Sequence, residues 1–283
     1  MVKKIFAKCY IYFILFLMYL PILILVAYSF TTSDQVGVWT GFSFRLYSDL
    51  FKNKDLMEAV GNTLLIAFCS AIVSTILGTL GAIGSHYSKK KSRKLIETMT
   101  QLPVVNAEIV MALSLAVLVV ALSWSFSFLT FLIGHVSWSF SLFTLLIGHV
   151  VLTVAFVYLN VKPKLTQMDP FAYEAALDLG AKPNYALRKV ILPEILPGII
   201  SGFMISITLS LDDFVLTQYL KEPSFETIST YIQKIIAKHP IPPEVRALAT
   251  LIFLAVLIVV VGNTIYNNQK AKKAPMLTKK KGV

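Results

Sequence analysis

Charged residues are scarce in this chain, and their scarcity excludes an ordinary soluble domain. Asp, Glu, Lys and Arg make up 14 % of the 283 residues, against about 25 % in typical soluble proteins. Hydrophobic residues make up 56 % of the sequence, and the mean hydropathy is +0.72. This composition indicates a protein that crosses a membrane several times.

Cysteine is nearly absent as well, which excludes a disulfide framework and a cysteine-based metal site. Only Cys9 and Cys69 occur, each within an apolar run, and we interpret both as buried small hydrophobic residues. The phosphate-binding pattern G-x-x-x-x-G-K-[S/T] is missing. No pattern of serine, cysteine or histidine indicates a nucleophile with its base. We therefore expect a chain that is not an enzyme and binds no metal.

Six apolar runs approach the roughly 20 residues that a transmembrane helix needs. The first run is longer than the apolar core of a cleavable signal, about 7–15 residues, and lacks a small-residue cleavage site, so we expect it to remain as a span. Gly78, Gly81 and Gly84 in the second run favour close packing between helices. The six runs lie at 9–30, 60–84, 102–122, 140–160, 197–219 and 247–267.

Lys and Arg divide unevenly between the loops that six spans would create. Nineteen fall on one side (three before the first run, five in 89–94, five in 162–189 and six in 270–281), and seven fall on the other side. Cytoplasmic loops are enriched in Lys and Arg. We therefore predict a membrane protein with both termini in the cytoplasm, comprising one all-α transmembrane domain over 1–270 and a basic tail over 271–283. The net charge of +11 follows this topology and does not indicate nucleic-acid binding.

A tandem duplication separates the third and fourth runs within residues 123–150. Residues 123–136 (SWSFSFLTFLIGHV) and 137–150 (SWSFSLFTLLIGHV) are identical at 11 positions. A helix of 14 residues is about 21 Å long, too short to cross a bilayer. We expect the duplication to lengthen the outer ends of the third and fourth spans. His135 and His149 are then copies of one outer-loop histidine, with too few partners to bind a metal.

The loop between the fourth and fifth runs, residues 162–193, has a helical pattern of its own. Asp169-Pro170 is typical of a helix start, and Gly180 is typical of the left-handed residue that ends a helix. Pro183 can open a second helix. We predict helices over Pro170–Leu179 and Pro183–Lys189. An apolar stripe at four-residue spacing marks the first of them: Phe171, Ala175 and Leu179.

Part of this loop resembles the signature of ABC-importer permeases. The signature is Glu-Ala-Ala, three residues, Gly, nine residues and then Ile-x-Leu-Pro. Val190 stands where isoleucine is usual, which is a conservative difference. The resemblance implies that residues 1–270 form a permease domain in a bacterial plasma membrane. It also implies a type I importer fold, in which this loop forms coupling helices that dock into a cleft of the ATPase subunit. The residues to which it assigns ATPase coupling are Glu174, Ala175, Ala176, Gly180, Leu192 and Pro193, with Glu174 as a polar contact and Gly180 as the turn.

Nearly the whole chain, apart from the duplication, resembles the second permease subunit of spermidine/putrescine importers. The segments that carry this resemblance include Thr40–Phe51, Leu209–Phe214 and Pro243–Thr250. It implies a permease for spermidine or putrescine with three kinds of protein partner: two copies of an ATPase that uses ATP, a second homologous permease, and an extracytoplasmic polyamine-binding protein. We expect membrane lipid around the chain, no nucleic-acid partner, and no cofactor bound by the chain itself.

Three carboxylates lie within the apolar runs: Glu108, Asp212 and Asp213. Ionised groups inside a membrane are costly and usually face a cavity or a partner, and a polycation would be led by a pathway lined with carboxylates. Adjacent helical residues point about 100° apart, so we expect only one of Asp212 and Asp213 to face that pathway. The alternative is a carboxylate that is hydrogen-bonded or ion-paired and holds two helices together. Glu108 could also simply reach water at the cytoplasmic end.

Two other functions remain open. Related permeases carry metals, thiamine or oxyanions on the same scaffold, and the carboxylates within the spans disfavour only an anion. A standalone channel or secondary transporter would need no ATPase and would show no dependence on nucleotide. Inverted repeats would favour that class, and the sequence shows none beyond the local duplication.

Overall fold

The computed structural model describes residues 2–33, 35, 37–133, 142–237 and 242–273, with side chains for 8–33, 35, 37–122, 142–237, 242–258 and 261. These residues form helices and no β-strand, apart from an isolated bridge between Thr31 and Phe42. The prediction of an all-α protein is confirmed. The helices are α1 (Val2–Tyr28), α2 (Arg45–Lys52), α3 (Lys54–His86), α4 (Lys90–Val105), α5 (Glu108–Ile133), α6 (Leu142–Gln167), α7 (Ala172–Asp178), α8 (Pro183–Ala186), α9 (Leu192–Asp212), α10 (Val215–Leu220), α11 (Ile228–Ile236) and α12 (Glu244–Lys273).

Four helical stretches in the described part of the chain are long and apolar enough to cross a membrane. They lie in α1, in α3, in α6 and in the continuous run Pro183–Asp212. A fifth crossing forms if α4 and the first part of α5, which meet at 106°, count as one bent span. Helix α12 covers the sixth apolar run, 247–267. Each predicted run is therefore helical over most of its described residues, and the helices follow the expected order.

Two of the predicted spans are interrupted by a break in the helix. The third run breaks at Asn106, which has an extended backbone (φ −71°, ψ 145°), and α5 starts only at Glu108. Pro103, just before this break, lacks the N–H that a helix uses. The fifth run breaks at Asp213, also extended (φ −67°, ψ 127°), before the short helix α10. Apolar runs indicate helical stretches but do not show where a polar residue ends one.

The chain divides into two compact units by its internal contacts, residues 1–57 with 235–283 and residues 58–234. In the first unit, α1 and α2 both pack against α12. The guanidinium of Arg246 on α12 is nearly buried and donates hydrogen bonds to the carbonyl oxygens of Tyr28 (3.5 Å) and Ser33 (3.2 Å). A buried cation that binds backbone carbonyls fixes the residues after α1 in place.

In the second unit, α6 is the central helix and packs along α9. One apolar cluster surrounds the second half of α6 and includes Val157, Leu165 and Ile195. Another cluster surrounds the first half of α6 and joins it to α5 and α10. The two clusters fix the residues at opposite ends of α6, and the candidate site has one part at each end.

Both cysteines are exposed, so the prediction that they are buried was wrong. Apolar residues on the outer surfaces of the same helices are exposed too, such as Ile72 and Leu80 on α3. The surface that a membrane protein presents to lipid is as apolar as its interior. An apolar neighbourhood in the sequence therefore does not predict burial in this class of protein.

Candidate functional site

The first part of the candidate site is the loop that contains α7. The Asp169 carboxylate accepts a hydrogen bond from the Phe171 amide (3.0 Å), and the Asp169 carbonyl accepts one from the Ala172 amide (3.2 Å). Asp169 thus forms a turn ahead of the helix, which begins at Ala172. The prediction that Asp169 caps a helix beginning at Pro170 is wrong by two residues, because the aspartate side chain bonds within its own turn.

Gly180 ends α7 in the predicted left-handed conformation, with φ +83°. Its amide donates to the carbonyl of Leu177 (2.8 Å), and the amide of Ala181 donates to the carbonyl of Ala176 (3.1 Å). This pair of bonds is a Schellman motif, which satisfies the last carbonyls of a helix. The prediction of a glycine-dependent turn at this position is confirmed.

The second helix of the loop is shorter than predicted. Helix α8 ends at Ala186, and residues 187–189 belong to a π-helical segment, Leu187–Ile191, that leads directly into α9. Pro193 lies in the first turn of α9, where it has no N–H to donate. No loop therefore separates the second helix from the span that follows it.

The apolar stripe of α7 points away from the rest of the described chain. Phe171 is 68 % exposed, Leu179 is 89 % exposed, and Ala175 between them is exposed as well. Glu174 and Tyr185 are also exposed. We call these five residues the docking face. Large apolar side chains with this exposure, beside a carboxylate, are typical of a surface that contacts another protein.

The other predicted coupling residues lie behind or beside this face. Ala176 and Leu192 are half-buried, and Pro193 is exposed. Tyr173 fixes α7 to the bundle, because it packs against the cluster around α6 and lies 5.5 Å from the ring of Tyr87. Burial raises the pKa of Tyr87, and the nearby Tyr173 and Glu174 raise it further. The Tyr87 phenol is therefore neutral at physiological pH. Through Tyr173, α7 is packed against Tyr87 and the apolar cluster around α6.

The second part of the candidate site is the break between α9 and α10. Asp213 Oδ1 accepts a hydrogen bond from the Leu216 amide (3.1 Å), and Oδ2 accepts bonds from the amide and the hydroxyl of Thr217 (2.8 Å each). The Asp213 side chain is only 1 % exposed. It therefore caps α10, as a buried carboxylate with this set of donors can. This geometry agrees with the alternative interpretation of Asp213, a hydrogen-bonded carboxylate that holds two helices together.

His149 lies inside α6 and faces this break. Its Nδ1 is 2.7 Å from the Ser210 hydroxyl, and its Nε2 is 3.1 Å from the Thr217 hydroxyl and 3.6 Å from Asp213 Oδ2. The prediction of an outer-loop histidine is wrong for His149, which is 1 % exposed. Gly148 beside it leaves room for Leu220 of α10 to contact α6. His135, the other copy, lies outside the described residues.

The remaining two carboxylates lie on the surface of this chain. Asp212 is exposed at the last position of α9, next to the buried Asp213. Glu108 is exposed at the first position of α5, where the helix dipole favours a negative charge. Helix α5 packs against α10, so Glu108 belongs to an element that contacts the break. The pathway role of both carboxylates stays a prediction.

Residues 74–272 match the protein family described as "Binding-protein-dependent transport system inner membrane component". This range begins within α3, ends within α12, and contains both the docking face and the break. The chain belongs to this family. It is a multi-pass membrane permease subunit of an importer and not an enzyme.

Curated relatives of this permease are similar over most of its length. The spermidine/putrescine transport system permease protein PotC of Escherichia coli (strain K12) is 32 % identical to this chain. The aligned region covers 90 % of this chain and 91 % of PotC. The putrescine transport system permease protein PotI of the same strain is 35 % identical, over 86 % of this chain and 83 % of PotI. A PotC homolog from Mycoplasma genitalium (strain G37) is 26 % identical.

Solved structures show the same fold at lower identity. A bacterial ABC transporter involved in the import of the acidic polysaccharide alginate superposes with a TM-score of 0.70. It is 20 % identical and covers 94 % of this chain and 96 % of that chain. A complex of a bacterial alginate transporter with a periplasmic protein bound to alginate pentasaccharide gives a TM-score of 0.69 at 21 % identity. The fold of this permease is therefore that of ABC importer permeases.

The sequence alone does not indicate the polar residues that bind His149 and Asp213: Ser210 and Thr217. Neither has a local signal, because a serine or threonine inside an apolar run is common in membrane helices. The one available signal was the second IGHV segment, whose histidine falls inside the predicted fourth span. A histidine at that depth indicates a buried partner.

Proposed function

We propose that this permease subunit carries spermidine or putrescine into the cell in an ATP-driven importer. The observation that carries the proposal is the similarity to PotC and PotI, permeases of spermidine/putrescine and putrescine transport systems, over 86–90 % of the chain. Identities of 32 % and 35 % over this length support a shared cargo class. The carboxylates of Asp212 and Glu108, exposed in otherwise apolar surroundings, suit a cationic cargo.

We further propose that the docking face transmits work from an ATPase. Two copies of a separate ATPase would bind, one on the docking face of this subunit and one on a second, homologous permease. The chain itself would bind no cofactor, and the ATP would be used by the ATPase. Glu174 would offer a polar contact at the edge of the exposed stripe formed by Phe171, Ala175 and Leu179. Docking would bury this stripe and remove its cost of exposure to water.

The cargo pathway would run between the two permeases. An ionised carboxylate on the outside of a span cannot face lipid without a large cost, so Asp212 should face a partner subunit or a water-filled path. Asp213 has its acceptors already engaged within the chain. Asp212, with Glu108 on the neighbouring element, is therefore our proposed contact for the polycation.

The orientation is also a proposal. The 19 basic residues on one side would place both termini and the docking face in the cytoplasm. An extracytoplasmic polyamine-binding protein would then deliver the cargo at the opposite end of the bundle. This arrangement places the docking face and the point of delivery at opposite ends of α6 and α9.

The decisive experiment is uptake of labelled spermidine by cells that lack the chain. Wild type should restore uptake that putrescine competes and that ATP depletion abolishes, whereas Glu174→Ala should not restore it. The matched control is Glu222→Ala, which removes an exposed carboxylate far along the chain from the docking face and should transport normally. Uptake that continues without ATP would favour a channel. Uptake of a metal, thiamine or an oxyanion, with no uptake of polyamine, would replace the cargo and keep the importer.

A further inference from the structure

A single chain of hydrogen bonds runs through the interior of the second unit. The Ser70 hydroxyl donates to the Ser210 hydroxyl (3.1 Å), which lies 2.7 Å from Nδ1 of His149. On the other side of the ring, Nε2 lies 3.1 Å from the Thr217 hydroxyl, which donates to Asp213 Oδ2 (2.8 Å). All five residues are buried. None of these contacts belongs to the docking face or to the exposed carboxylates.

The donors in this chain of hydrogen bonds favour one form of the imidazole. Each hydroxyl carries one proton to donate. The Thr217 proton goes to Asp213, so the Thr217 oxygen must accept a proton from Nε2 of His149. Nδ1 is then the acceptor of the ring and takes the Ser210 proton, while the Ser210 oxygen accepts from Ser70, whose hydroxyl also lies 3.2 Å from the carbonyl oxygen of Ala67. A neutral His149 with its proton on Nε2 satisfies every member of the chain.

His149 is the residue that holds both sides of the helix break. Ser210 lies in α9, before the break, and Thr217 lies in α10, after it. The two nitrogens of one rigid ring therefore fix the distance between two helices. The carbonyl of Asp213 is held independently by the Ser229 hydroxyl at 2.8 Å. Asp212 lies between Ser210, which His149 holds, and the Asp213 carbonyl, which Ser229 holds, and its side chain is exposed.

We propose that His149 is a positioning residue that holds the break between α9 and α10 so that Asp212 is presented to the transport pathway and Asp213 is retained inside. This inference rests on the proposed pathway role of Asp212. Without the ring, the hydrogen bonds that link Ser210 of α9 to Thr217 of α10 are lost, and Asp213 alone joins the two helices, so the last turn of α9 can rotate. Adjacent helical residues point about 100° apart, so a rotation of this size at the end of α9 would turn the Asp212 carboxylate away from its present direction.

The first test measures how accessible position 212 is to a reagent in water, and it requires no transported substrate. Asp212→Cys is made in the assembled importer in membrane vesicles, with Cys9→Ala and Cys69→Ala because both native thiols are exposed. A membrane-impermeant thiol reagent is then applied with His149, His149→Leu or His149→Gln in place. We expect labelling to slow by roughly threefold or more with His149→Leu, as the loss of two hydrogen bonds allows. His149→Gln keeps a donor near the Nε2 position and should restore most of the rate.

The chain offers a matched pair of controls on one face of α9. Ser210→Ala removes the hydroxyl that His149 binds, and Ser206→Ala removes a buried hydroxyl one turn earlier. Among the described residues, the Ser206 hydroxyl has no hydrogen-bond partner. Both changes replace a buried serine with alanine, so a difference between them reports the hydrogen bonds that the Ser210 hydroxyl makes with His149 and Ser70. Ser210→Ala should slow labelling as His149→Leu does, and Ser206→Ala should leave it unchanged.

The second test separates positioning from general damage. In spermidine uptake, His149→Leu should raise KM by about fivefold to tenfold with a smaller change in the maximal rate, and His149→Gln should recover part of the affinity. Equal labelling of Asp212→Cys with and without the His149 ring would overturn the proposal. So would loss of assembly with the ATPase in both His149 variants, which would make the ring a folding element. Absence of spermidine uptake in wild type, with labelling that still depends on His149, would reject the cargo and leave the positioning role supported.

Discussion

A Cβ atom on Gly78 would lie 2.7 Å from the Cβ of Val157 and 2.9 Å from the carbonyl oxygen of Val154. At this point α3 rests directly on α6, with no space for even a methyl group. Neighbouring hydrogen bonds reinforce the contact, since the Ser74 and Thr153 hydroxyls lie 2.6 Å apart. The glycines of α3 nevertheless differ, because a Cβ on Gly84 would meet nothing within 4 Å.

We expect Gly78→Ala to destabilise the permease and Gly84→Ala to leave it unchanged or slightly more stable. The first forces Val157 and the backbone of α6 to move, at about 1–3 kcal/mol for an overpacked core. The second adds a methyl group in open space and improves helix propensity by up to about 1 kcal/mol. Thermal unfolding of the purified complex measures both changes. Equal melting temperatures for the two variants would contradict the close contact at Gly78.

Gly180→Ala should impair coupling by straining the turn that ends α7. The position has φ +83° and open space around it, so the cost is backbone strain of about 1–2 kcal/mol and not a clash. Gly37→Ala is the matched control. Gly37 also has a positive φ, +90°, and open space around it, and it lies far from the docking face in the sequence. Spermidine uptake should fall in the first variant and persist in the second. An equal loss in both would show that the strain acts on general stability.

Deletion of the first copy of the duplication should be tolerated better than deletion of the second. The two shortened chains differ at only three positions. Removing 137–150 would place Phe131 at the position of Leu145, which is fully buried, and overpacking of a core costs about 1–3 kcal/mol. Removing 123–136 keeps Leu145, Gly148 and His149 in place. Expression and uptake compared side by side test this order, and the reverse order would contradict the assignment of the second copy to the core.

Glu226 should make stability depend on pH. Burial raises its pKa, but hydrogen bonds from Lys221 (2.9 Å), Thr230 (2.7 Å) and Lys234 (3.1 Å) outweigh burial and lower the pKa below the ordinary value of 4.5. A carboxyl whose folded-state pKa is depressed contributes stability above its unfolded pKa, and this contribution disappears as the pH falls through the folded value. The melting temperature of Glu226→Gln should therefore lie below that of wild type at pH 7, and the gap should narrow below about pH 4.5. Glu222→Gln is the control for general acid effects, and a gap independent of pH would contradict the ionic role.

The sequence predicted what depends on local chemistry. Long apolar runs gave the helices, and Gly180 gave the turn, because both follow from neighbouring residues alone. It failed where the partner is distant in the chain: His149 meets Ser210 and Thr217 only after folding. The break at Asp213 failed for a related reason. An aspartate ends a helix only when its carboxylate finds donors, here the first amides of α10, and an apolar run cannot show that.

Pro183–Asp212 is one helical stretch of 30 residues, about 45 Å long. Tyr185 of the docking face lies at one end and Asp212 at the other, with no loop between them. When such a helix tilts as one body by about 10° around its middle, its two ends move by about 4 Å in opposite directions. We therefore expect a subunit built on this helix to narrow one end of the proposed pathway as the other end widens, which would oppose a leak through the importer.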